Sequence, residues 1–448
     1  MSPRRGDLLV QSPPITRHCA PLGALVLATW TSWATAAAPS ASAAGAATVQ
    51  EATITEVELV EQVLEANPGL ASLRAAAEAA TYRIEPAGSL DDPMLSYATA
   101  PRTAGTNRLN QRVEFSQRFP WPGTLDAREA VARYEAAAAG GDVESLELEV
   151  VAQTRSAHAQ WRFVHEALVI HHETQALLDE LIATAETRYA AGRALRQDVL
   201  QAEVERTDLD NEELRLRQLQ ATVQARINAL LNRPPHTPLP RAAPMGPPAA
   251  PPAYETVKRL ALSRHPELER LDARVAANQS RAELAEKAFY PDFQVGIGYN
   301  SLWDDPDKRP ILGVTINVPL DRGKRRAELD AARADTSEAQ WALTERRAEL
   351  LADLAQARAE VVEARQSVQL YENKLVPLAA EYLNAAIADY QSGTGAFLNV
   401  ITAEQRKLAT DLALARTRAD YAARLADLER AAGLLPGSPE SASAGEQP

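Results

Sequence analysis

The sequence predicts a mixed α and β protein in which one helix–strand–strand–long helix–helix unit occurs twice. The main observation is a repeat about 200 residues apart, in which Tyr189-Ala190-Ala191-Gly192 returns as Tyr390-Gln391-Ser392-Gly393. The two other observations, present in both halves, are a pair of alternating apolar and polar segments and a very long stretch almost free of proline. The predicted repeats are residues 46–231 and 254–435, joined by a proline-rich linker at 232–253.

The first 45 residues have the pattern of a signal peptide. Arg4, Arg5 and Arg17 supply positive charge, an apolar core follows at 22–28, and small residues at 34–36 or 41–43 offer a cleavage site. A transmembrane helix is disfavoured because the apolar core is well short of about 20 residues. The only cysteine, Cys19, precedes that core, so the mature chain is predicted to lack thiols and a lipid anchor.

Composition narrows the class of protein further. Aromatic residues make up only 5% of the 448 residues, and alanine, glutamate, leucine and arginine dominate, which is typical of long helices. A formal net charge of -13 and the lack of a basic stripe argue against a nucleic-acid partner. The sequence has no nucleophile elbow, phosphate-binding loop or cysteine pair, so neither an enzyme nor a cofactor is predicted.

Four segments have the period-two alternation of β-strands. In the clearest one, Phe293, Val295, Ile297 and Tyr299 alternate with glutamine, glycine and asparagine. Its neighbour in the sequence alternates in the same way between Leu312 and Val318. The first repeat carries a matching strand around 112–119 and a weaker one at 94–100.

These strands predict a mixed α and β membrane protein. Strands of about nine residues with one apolar face are typical of transmembrane β-barrels, although an ordinary antiparallel sheet on a soluble core has similar alternation. A predicted aromatic belt at the strand ends favours the membrane: Phe115, Phe119, Trp121, Phe293, Tyr299 and Trp303. Because lipid tolerates no open sheet edge, four strands per chain predict an oligomer.

Two long helices are predicted at Thr124–Tyr189 and Lys324–Tyr390. Each spans roughly 100 Å at 1.5 Å per residue, so most of it projects beyond a bilayer core of about 30 Å. Gly140-Gly141 and Pro377 are expected to cause kinks or close side packing. Gly192 and Gly393 end these helices in tight turns, and return helices follow at 198–231 and 399–434. The segment 234–252 is predicted to form neither helix nor strand, and the tail 436–448 is predicted to be disordered.

Taken together, the chain from about Val57 to Leu435 resembles the TolC-like outer-membrane efflux protein family. The resemblance rests on the paired Tyr-x-x-Gly turns, the segments Pro120-Trp121-Pro122-Gly123 and Pro319-Leu320-Asp321-Arg322-Gly323, and the duplication. Asp91-Asp92-Pro93-Met94 looks most like the subgroup for cobalt, zinc and cadmium efflux. The resemblance implies a homotrimer with a 12-stranded outer-membrane β-barrel, continued by a periplasmic α-helical barrel. It also implies a periplasmic adaptor and an inner-membrane efflux pump as partners.

The resemblance places a periplasmic gate and tip at the two turns. In drug-exporting relatives an arginine and two inward aspartates follow the second turn, whereas Gly395, Asn399 and Thr402 occupy those places here. Asp198 matches an acidic gate position of the first repeat. Arg193 and Arg196 are candidates for the missing arginine, or else solvated turn residues that meet the adaptor. The full candidate set is Tyr189, Gly192, Arg193, Arg196, Asp198, Tyr390, Gly393, Gly395, Asn399 and Thr402.

Three histidines, His158, His165 and His172, recur every seven residues on one helix stripe. Successive members are about 10.5 Å apart along a helix, too far to share one ion. A coiled-coil or surface role is therefore expected, and no metal site is predicted.

The expected function is passive conduction of substrate, with heavy-metal cations as the expected cargo. Alternatives are an outlet for drug efflux or type I secretion. A periplasmic adaptor is a further alternative, but an adaptor would carry one helical hairpin rather than two. A purely structural helical protein is disfavoured because it would not need the polar strand faces.

Overall fold

The computed structural model describes residues 53–100, 110–246, 250–303 and 305–435. These residues belong to one compact unit. The predicted signal peptide at 1–45 and the predicted disordered tail at 436–448 lie outside the described residues.

The first repeat begins with a capping box at Thr55, whose side chain and that of Glu58 each accept a hydrogen bond from the other's backbone N–H. Its elements follow in the predicted order, with a short additional strand and helix. They are β1 (Thr53–Ile54), α1 (Glu56–Ala66), α2 (Pro68–Tyr82), α3 (Ile84–Gly88), β2 (Met94–Ala100), β3 (Asn110–Phe119), α4 (Thr124–Ala190) and α5 (Arg196–Leu230).

The second repeat has the same order of main elements, namely two helices, two strands, a long helix and a return helix. Its elements, preceded by a two-residue strand in the linker, are β4 (Arg241–Ala242), α6 (Tyr254–Arg264), α7 (Pro266–Lys287), β5 (Asp292–Asn300), β6 (Pro310–Asn317), α8 (Arg322–Leu370), α9 (Val376–Ser392) and α10 (Phe397–Ala432).

The break before the second helix of each repeat has the same cause in both copies. Asn67 caps α2 by accepting hydrogen bonds from the backbone of Gly69 and Leu70, at 2.9 and 3.2 Å. His265 caps α7 in the same way, because its Nδ1 accepts from the Glu267 N–H at 3.3 Å. A proline occupies the first turn of each capped helix, where its missing N–H costs nothing.

The four strands form one antiparallel sheet in the order β2-β3-β5-β6. The two repeats therefore meet in the middle of the sheet, where Phe119 lies opposite Phe293 and Phe115 opposite Ile297. Within the described residues, β2 and β6 each have a strand on one side only. The sheet thus has two open edges.

Next to the sheet, the helices lie side by side in the same order as the strands to which they connect. α2 contacts α4, α4 contacts α7, and α7 contacts α8, whereas the half farther from the sheet is built from α5, α4, α10 and α9. The cores are thin and lie between neighbouring helices, as in the cluster of Leu350, Leu354 and Leu428. Arg155 of α4 joins the repeats, because it pairs with both Glu56 of α1 and Glu429 of α10.

Both predicted weak points of the long helices are structural features. α4 continues through Gly140-Gly141, and Gly141 is buried where α7 begins. Residues Tyr371–Leu375, just before Pro377, form a π-helical turn between α8 and α9. Prolines and π turns are both recognised causes of local irregularity in long helices.

One prediction about the linker is wrong. β4 forms within the segment expected to lack strands and pairs in parallel with β1, with Thr53 opposite Arg241. Arg241 and Ala242 lie between prolines and keep their own N–H groups, and Ala243 donates to the Ile54 carbonyl at 3.0 Å. The pairing therefore ties the linker to the start of the first repeat.

Across the described helices, none has the length and apolar character needed to cross a bilayer.

Candidate functional site

The two faces of the sheet differ sharply in polarity. Because the strands pair in register, the alternating apolar side chains all project from one face. This face is exposed, as Leu312 shows with 76% of its surface accessible. Its members include Leu95, Tyr97, Val113, Phe115, Val295, Ile297, Tyr299, Leu312, Val314 and Ile316. An exposed apolar patch of this extent on a folded chain marks contact with lipid or protein.

The opposite face is polar and internally hydrogen-bonded. Arg112 and Glu114 form an ion pair at 2.6 Å, and Gln294 donates to the Ser116 hydroxyl at 2.9 Å. Small residues such as Gly296, which lies opposite Ser116, also occur on this face, together with the apolar side chains of Met94 and Ile311. This face can border water, whereas the apolar face cannot do so cheaply.

Aromatic rings gather at the end of the sheet that leads into the helices. Trp121 stacks on Tyr290 with ring centroids 4.7 Å apart and lies 6.1 Å from Phe293. Phe119 is paired with Phe293 across the strands. Tyr290 was missed by the sequence analysis, although its place just before the proline that precedes β5 is the signal that would have found it.

A second aromatic pair lies at the other end of the sheet. Arg309 donates to the Tyr299 hydroxyl at 3.2 Å and to the Trp303 carbonyl at 3.1 Å. Phe293 and Tyr299 are six residues apart on one strand, or about 20 Å. Phe115 was expected at a strand end but lies in the middle of β3, opposite Leu95 and Ile297. The remaining predicted belt residues lie toward the two ends of the sheet, and their role as a belt stays a prediction.

The two turns at the far end of the helices have the geometry that the glycines predicted. Gly192 has φ +71° and Gly393 has φ +83°, both in the left-handed region that favours glycine. In the second turn the backbone N–H groups of Thr394 and Gly395 both donate to the Asp389 carbonyl at 3.0 Å. Each helical hairpin therefore reverses within a few residues.

Arg188 of α4 connects the two turns, and the sequence analysis missed it. Its Nη1 donates to the Gln391 carbonyl at 3.0 Å, and its guanidinium lies 4.7 Å from the centre of the Tyr390 ring. Tyr390 is buried and packs edge-on against Phe397 at 5.1 Å. Nothing in the sequence around Arg188 signals this contact, because its partners lie about 200 residues away in the other repeat.

Asp198 lies near the same tyrosine. Burial raises the pKa of the Tyr390 hydroxyl, the Asp198 carboxylate raises it further, and Arg188 opposes the shift. Asp198 also accepts a hydrogen bond from the Leu195 N–H at 3.4 Å at the start of α5. Of the candidate gate residues, the structure thus brings Asp198 and Tyr390 together, with Arg188 between the turns.

The other candidate tip residues lie around this cluster. Tyr189, Arg193 and Arg196 are exposed, and within the described residues neither arginine side chain forms an ion pair or hydrogen bond. Asn399 and Thr402 are exposed on the first turns of α10, and the Thr402 hydroxyl donates to the Leu398 carbonyl at 2.8 Å. Gly395 packs tightly, because a Cβ there would lie 2.9 Å from the Asp389 Cβ.

Above the turns, Glu404 is an unexpected buried acid. Only 1% of its surface is exposed, and neither carboxylate oxygen has a hydrogen-bond partner among the described residues. Burial is the main cause that raises its pKa to about 7; the charge of Glu205 adds to the shift and Lys407 opposes it. Its counterpart in the first repeat, Glu203, is exposed.

The histidine stripe has three different environments. His158 is buried and its Nε2 lies 3.1 Å from the Ile54 carbonyl, and burial lowers its pKa. His165 contacts the Trp161 carbonyl at 2.8 Å, and exposed His172 lies 3.5 Å from Glu213. Within the described ranges, no three His, Cys, Asp or Glu side chains form a group that could hold a metal ion.

This arrangement of sheet and helices is the fold of solved outer-membrane channels. VceC of Vibrio cholerae matches with a TM-score of 0.72 and 21% identity, over 84% of this chain and 96% of VceC. CusC matches with a TM-score of 0.74 and 17% identity, over 85% of this chain and 92% of CusC. The open state of the Neisseria gonorrhoeae channel MtrE matches with a TM-score of 0.70 and 17% identity, over 85% and 89% of the two chains.

The sequence of the second repeat leads to the same class of proteins. Residues 257–434 match the outer membrane efflux protein family. No curated protein matches the chain. The family match covers the second repeat only, and the solved structures show the same fold over most of the chain. The heavy-metal subgroup stays a prediction.

Proposed function

We propose that this protein is the outer-membrane channel of a tripartite efflux system, and that it conducts substrate passively from an inner-membrane pump and a periplasmic adaptor to the exterior. The exposed apolar face of the sheet carries the proposal. In the outer membrane this face contacts lipid, and the opposite face lines a water-filled passage.

Closure of the sheet requires further copies of the chain. One copy supplies four strands with open edges at β2 and β6, and unpaired backbone groups are too costly in hydrocarbon. Pairing β6 of one copy with β2 of the next removes both edges. Three copies close a 12-stranded barrel, the number that the family resemblance implies.

The helices extend the passage away from the membrane. α4 has 67 residues, which span about 100 Å at 1.5 Å per residue. In the trimer these helices form the wall of a periplasmic tube, with the two turns of each copy at its far end. The adaptor engages the helix grooves near the turns and opens the tip.

We propose heavy-metal cations as the cargo. The resemblance of the Asp91-Asp92-Pro93-Met94 segment to the cobalt, zinc and cadmium efflux subgroup supports this, and a net charge of -13 favours cations near the passage. A strain that lacks the gene is expected to become sensitive to zinc, cobalt or cadmium salts. Sensitivity to drugs alone, or loss of a secreted polypeptide, would instead assign the outlet to drug efflux or type I secretion.

The channel itself is tested by conductance of the purified protein in planar bilayers. We expect stepwise currents whose size rises when the tip is loosened. A periplasmic adaptor would give no current and would be stable without detergent. Absence of stepwise current from correctly assembled protein would therefore overturn the proposed channel.

A further inference from the structure

A cavity of about 880 Å³ lies between the proline-rich linker and the helices near the middle of α4. Residues of α4, α5 and α10 line it, together with strand β4 and the π-helical turn at Tyr371–Leu375. Its lining residues Val169 and His172 are exposed, so solvent reaches the cavity. Sites that hold small organic molecules have a similar size, about 300–1,000 Å³.

Arg162 lines this cavity and lacks a partner among the described residues. Its guanidinium forms no hydrogen bond and no ion pair there, and its Nη2 is buried. Burial is the main cause that lowers the pKa of Arg162; Glu166 and Glu56 oppose the shift, and Arg418 adds to it. A cation held out of water without a hydrogen-bonded partner is costly, and such a group in a native protein points to a bound species.

The carboxylates that line the cavity do not compensate Arg162, because both are paired with Arg418. The Arg418 guanidinium lies 3.1 Å from Glu166 and 2.8 Å from Glu372. Glu166 is about one turn from Arg162 along α4, yet among the described residues its carboxylate pairs with Arg418 only. Three arginines, the third being Arg241, and two glutamates line the cavity, so its formal charge is 3 − 2 = +1 apart from the histidines.

The rest of the lining suits an organic molecule. Leu239 and Met245 of the linker and Val368 of α8 contribute apolar surface. Methionine adapts its shape to what it contacts. Glu372 reaches the cavity from the π-helical turn, and such turns are frequent at functional sites.

The cavity is far from the sheet. Arg162 is 38 residues beyond Thr124, the first residue of α4, which corresponds to about 57 Å along the helix. With the sheet in the outer membrane, as proposed above, lipid headgroups cannot reach Arg162. A ligand of this cavity therefore comes from the aqueous phase.

We propose that this cavity binds a small organic oxyanion, a carboxylate or phosphate ester on an apolar body. The charged group pairs with Arg162, and the body lies against Leu239 and Met245. A planar guanidinium suits this role because it can donate two parallel hydrogen bonds to one oxyanion. The inference goes beyond the proposed channel, since binding here does not require conduction.

Matched probes test the site in the detergent-solubilised full chain. The probes are naphthalene-2-carboxylate, 2-naphthyl phosphate and uncharged naphthalene-2-carboxamide, each measured by equilibrium dialysis with binding to detergent micelles alone subtracted. We expect at least one anion to bind about tenfold or more tightly than the amide, and the tighter anion identifies the preferred oxyanion. Equal affinity for all three probes would overturn the site.

The apolar part of the proposal has its own comparison. Acetate carries the same charged group as naphthalene-2-carboxylate without the ring system. It should bind at least about tenfold more weakly, because it buries little apolar surface against the linker. Equal affinities would overturn the assignment to an anion with an apolar body.

A pair of variants tests the arginine. Arg162→Gln should weaken binding of the preferred anion at least about tenfold and leave the amide unchanged. Arg128→Gln is the matched control, because Arg128 is an exposed arginine of the same helix, about 51 Å away, and should bind all probes as wild type. Wild-type affinity for the anion in Arg162→Gln, with unchanged helix content, would contradict the role of Arg162.

Stability distinguishes the site from a simple ion pair. Because Arg162 has no partner in the cavity, Arg162→Gln should unfold no earlier than wild type in denaturant when no probe is present. Earlier unfolding of Arg162→Gln, together with no anion preference in wild type, would assign Arg162 to an ion pair with Glu166 and overturn the site.

Conductance in planar bilayers separates failure of this inference from failure of the proposed function. Stepwise currents without a preference for anions over the amide would overturn the site and leave the channel standing. A preference that depends on Arg162 in protein that gives no current would support the site and overturn the channel.

Discussion

At the scale of single residues, the two repeats use the same sequence motif in different surroundings. Glu203 and Glu404 each follow a fully buried alanine near the start of a return helix. α5 packs mainly on α4, whereas α10 packs on both α4 and α9. The extra neighbour covers Glu404 and leaves Glu203 in solvent. A duplicated motif therefore yields one solvated acid and one buried acid.

The raised pKa of Glu404 predicts a pH dependence of stability. In the unfolded chain the carboxyl ionises near pH 4.5, but in the folded chain it stays neutral up to about pH 7. The penalty for burying its charge is therefore absent below pH 4.5, grows as pH rises and is complete above about pH 7, where it reaches about 3 kcal/mol. Glu404→Gln should remove this loss, so that the variant is more stable than wild type at pH 8.

Denaturant unfolding of the detergent-solubilised protein between pH 5 and pH 8 measures this effect. Glu203→Gln is the matched control and should follow the wild-type pH profile. A Glu404→Gln variant with an unaltered profile would show that Glu404 is hydrated in the folded protein.

Arg188 is predicted to hold the tip closed. Arg188→Ala removes the hydrogen bond to the Gln391 carbonyl and the contact with the Tyr390 ring, each worth about 1 kcal/mol. We expect more frequent opening in single-channel recordings. Arg193→Ala should behave as wild type, because its side chain forms no polar contact within the described residues. The opposite pattern would support the hypothesis drawn from the sequence that Arg193 closes the gate.

At the scale of elements, α4 carries two adjacent glycines with different surroundings. A Cβ on Gly141 would lie 2.8 Å from the Arg270 Cβ and 3.2 Å from the Pro266 carbonyl oxygen. A Cβ on Gly140 would meet no atom within 4 Å. Gly141 therefore permits the close approach of α7, and Gly140 does not.

This difference predicts opposite effects of the same substitution. Gly141→Ala should lower the free energy of unfolding by about 1–3 kcal/mol through overpacking. Gly140→Ala should raise it by up to about 1 kcal/mol through the better helix propensity of alanine. Thermal unfolding of the two variants compares them directly. Equal effects would mean that α7 moves aside without cost.

At the scale of the whole molecule, the two faces of the sheet are predicted to differ in their tolerance of charge. Leu312 lies on the apolar face and Thr315 on the polar face of β6. In the assembled protein Leu312→Arg should cost about 2–4 kcal/mol near the middle of the bilayer. Thr315→Arg on the same strand should cost much less, because its side chain meets water.

Folding of each variant into lipid vesicles, followed by denaturant titration, measures this cost. Two variants of equal stability would contradict a lipid-facing sheet. Should Thr315→Arg prove the more damaging, the faces would be reversed.

Much of this architecture was predictable because its causes are local. Period-two alternation predicted β5 and β6, the absence of proline predicted α4, and glycine predicted the reversals at Gly192 and Gly393. Pro377 likewise predicted an irregularity in the second long helix, which occurs as the π-helical turn at Tyr371–Leu375. Strand β4 was not predicted, because it needs a partner, β1, about 190 residues away.

The sequence by itself determined the repeat, the helix and strand content, the two polar and apolar faces of the strands and the turns, since each follows from neighbours within a few residues. Only the tertiary structure decided that Arg188 meets Tyr390 and that Glu404 is buried while Glu203 is not. These facts depend on which distant segments pack together and on their relative positions along the helix axes. That arrangement is set by the sum of many weak contacts across the whole chain, which no single motif records.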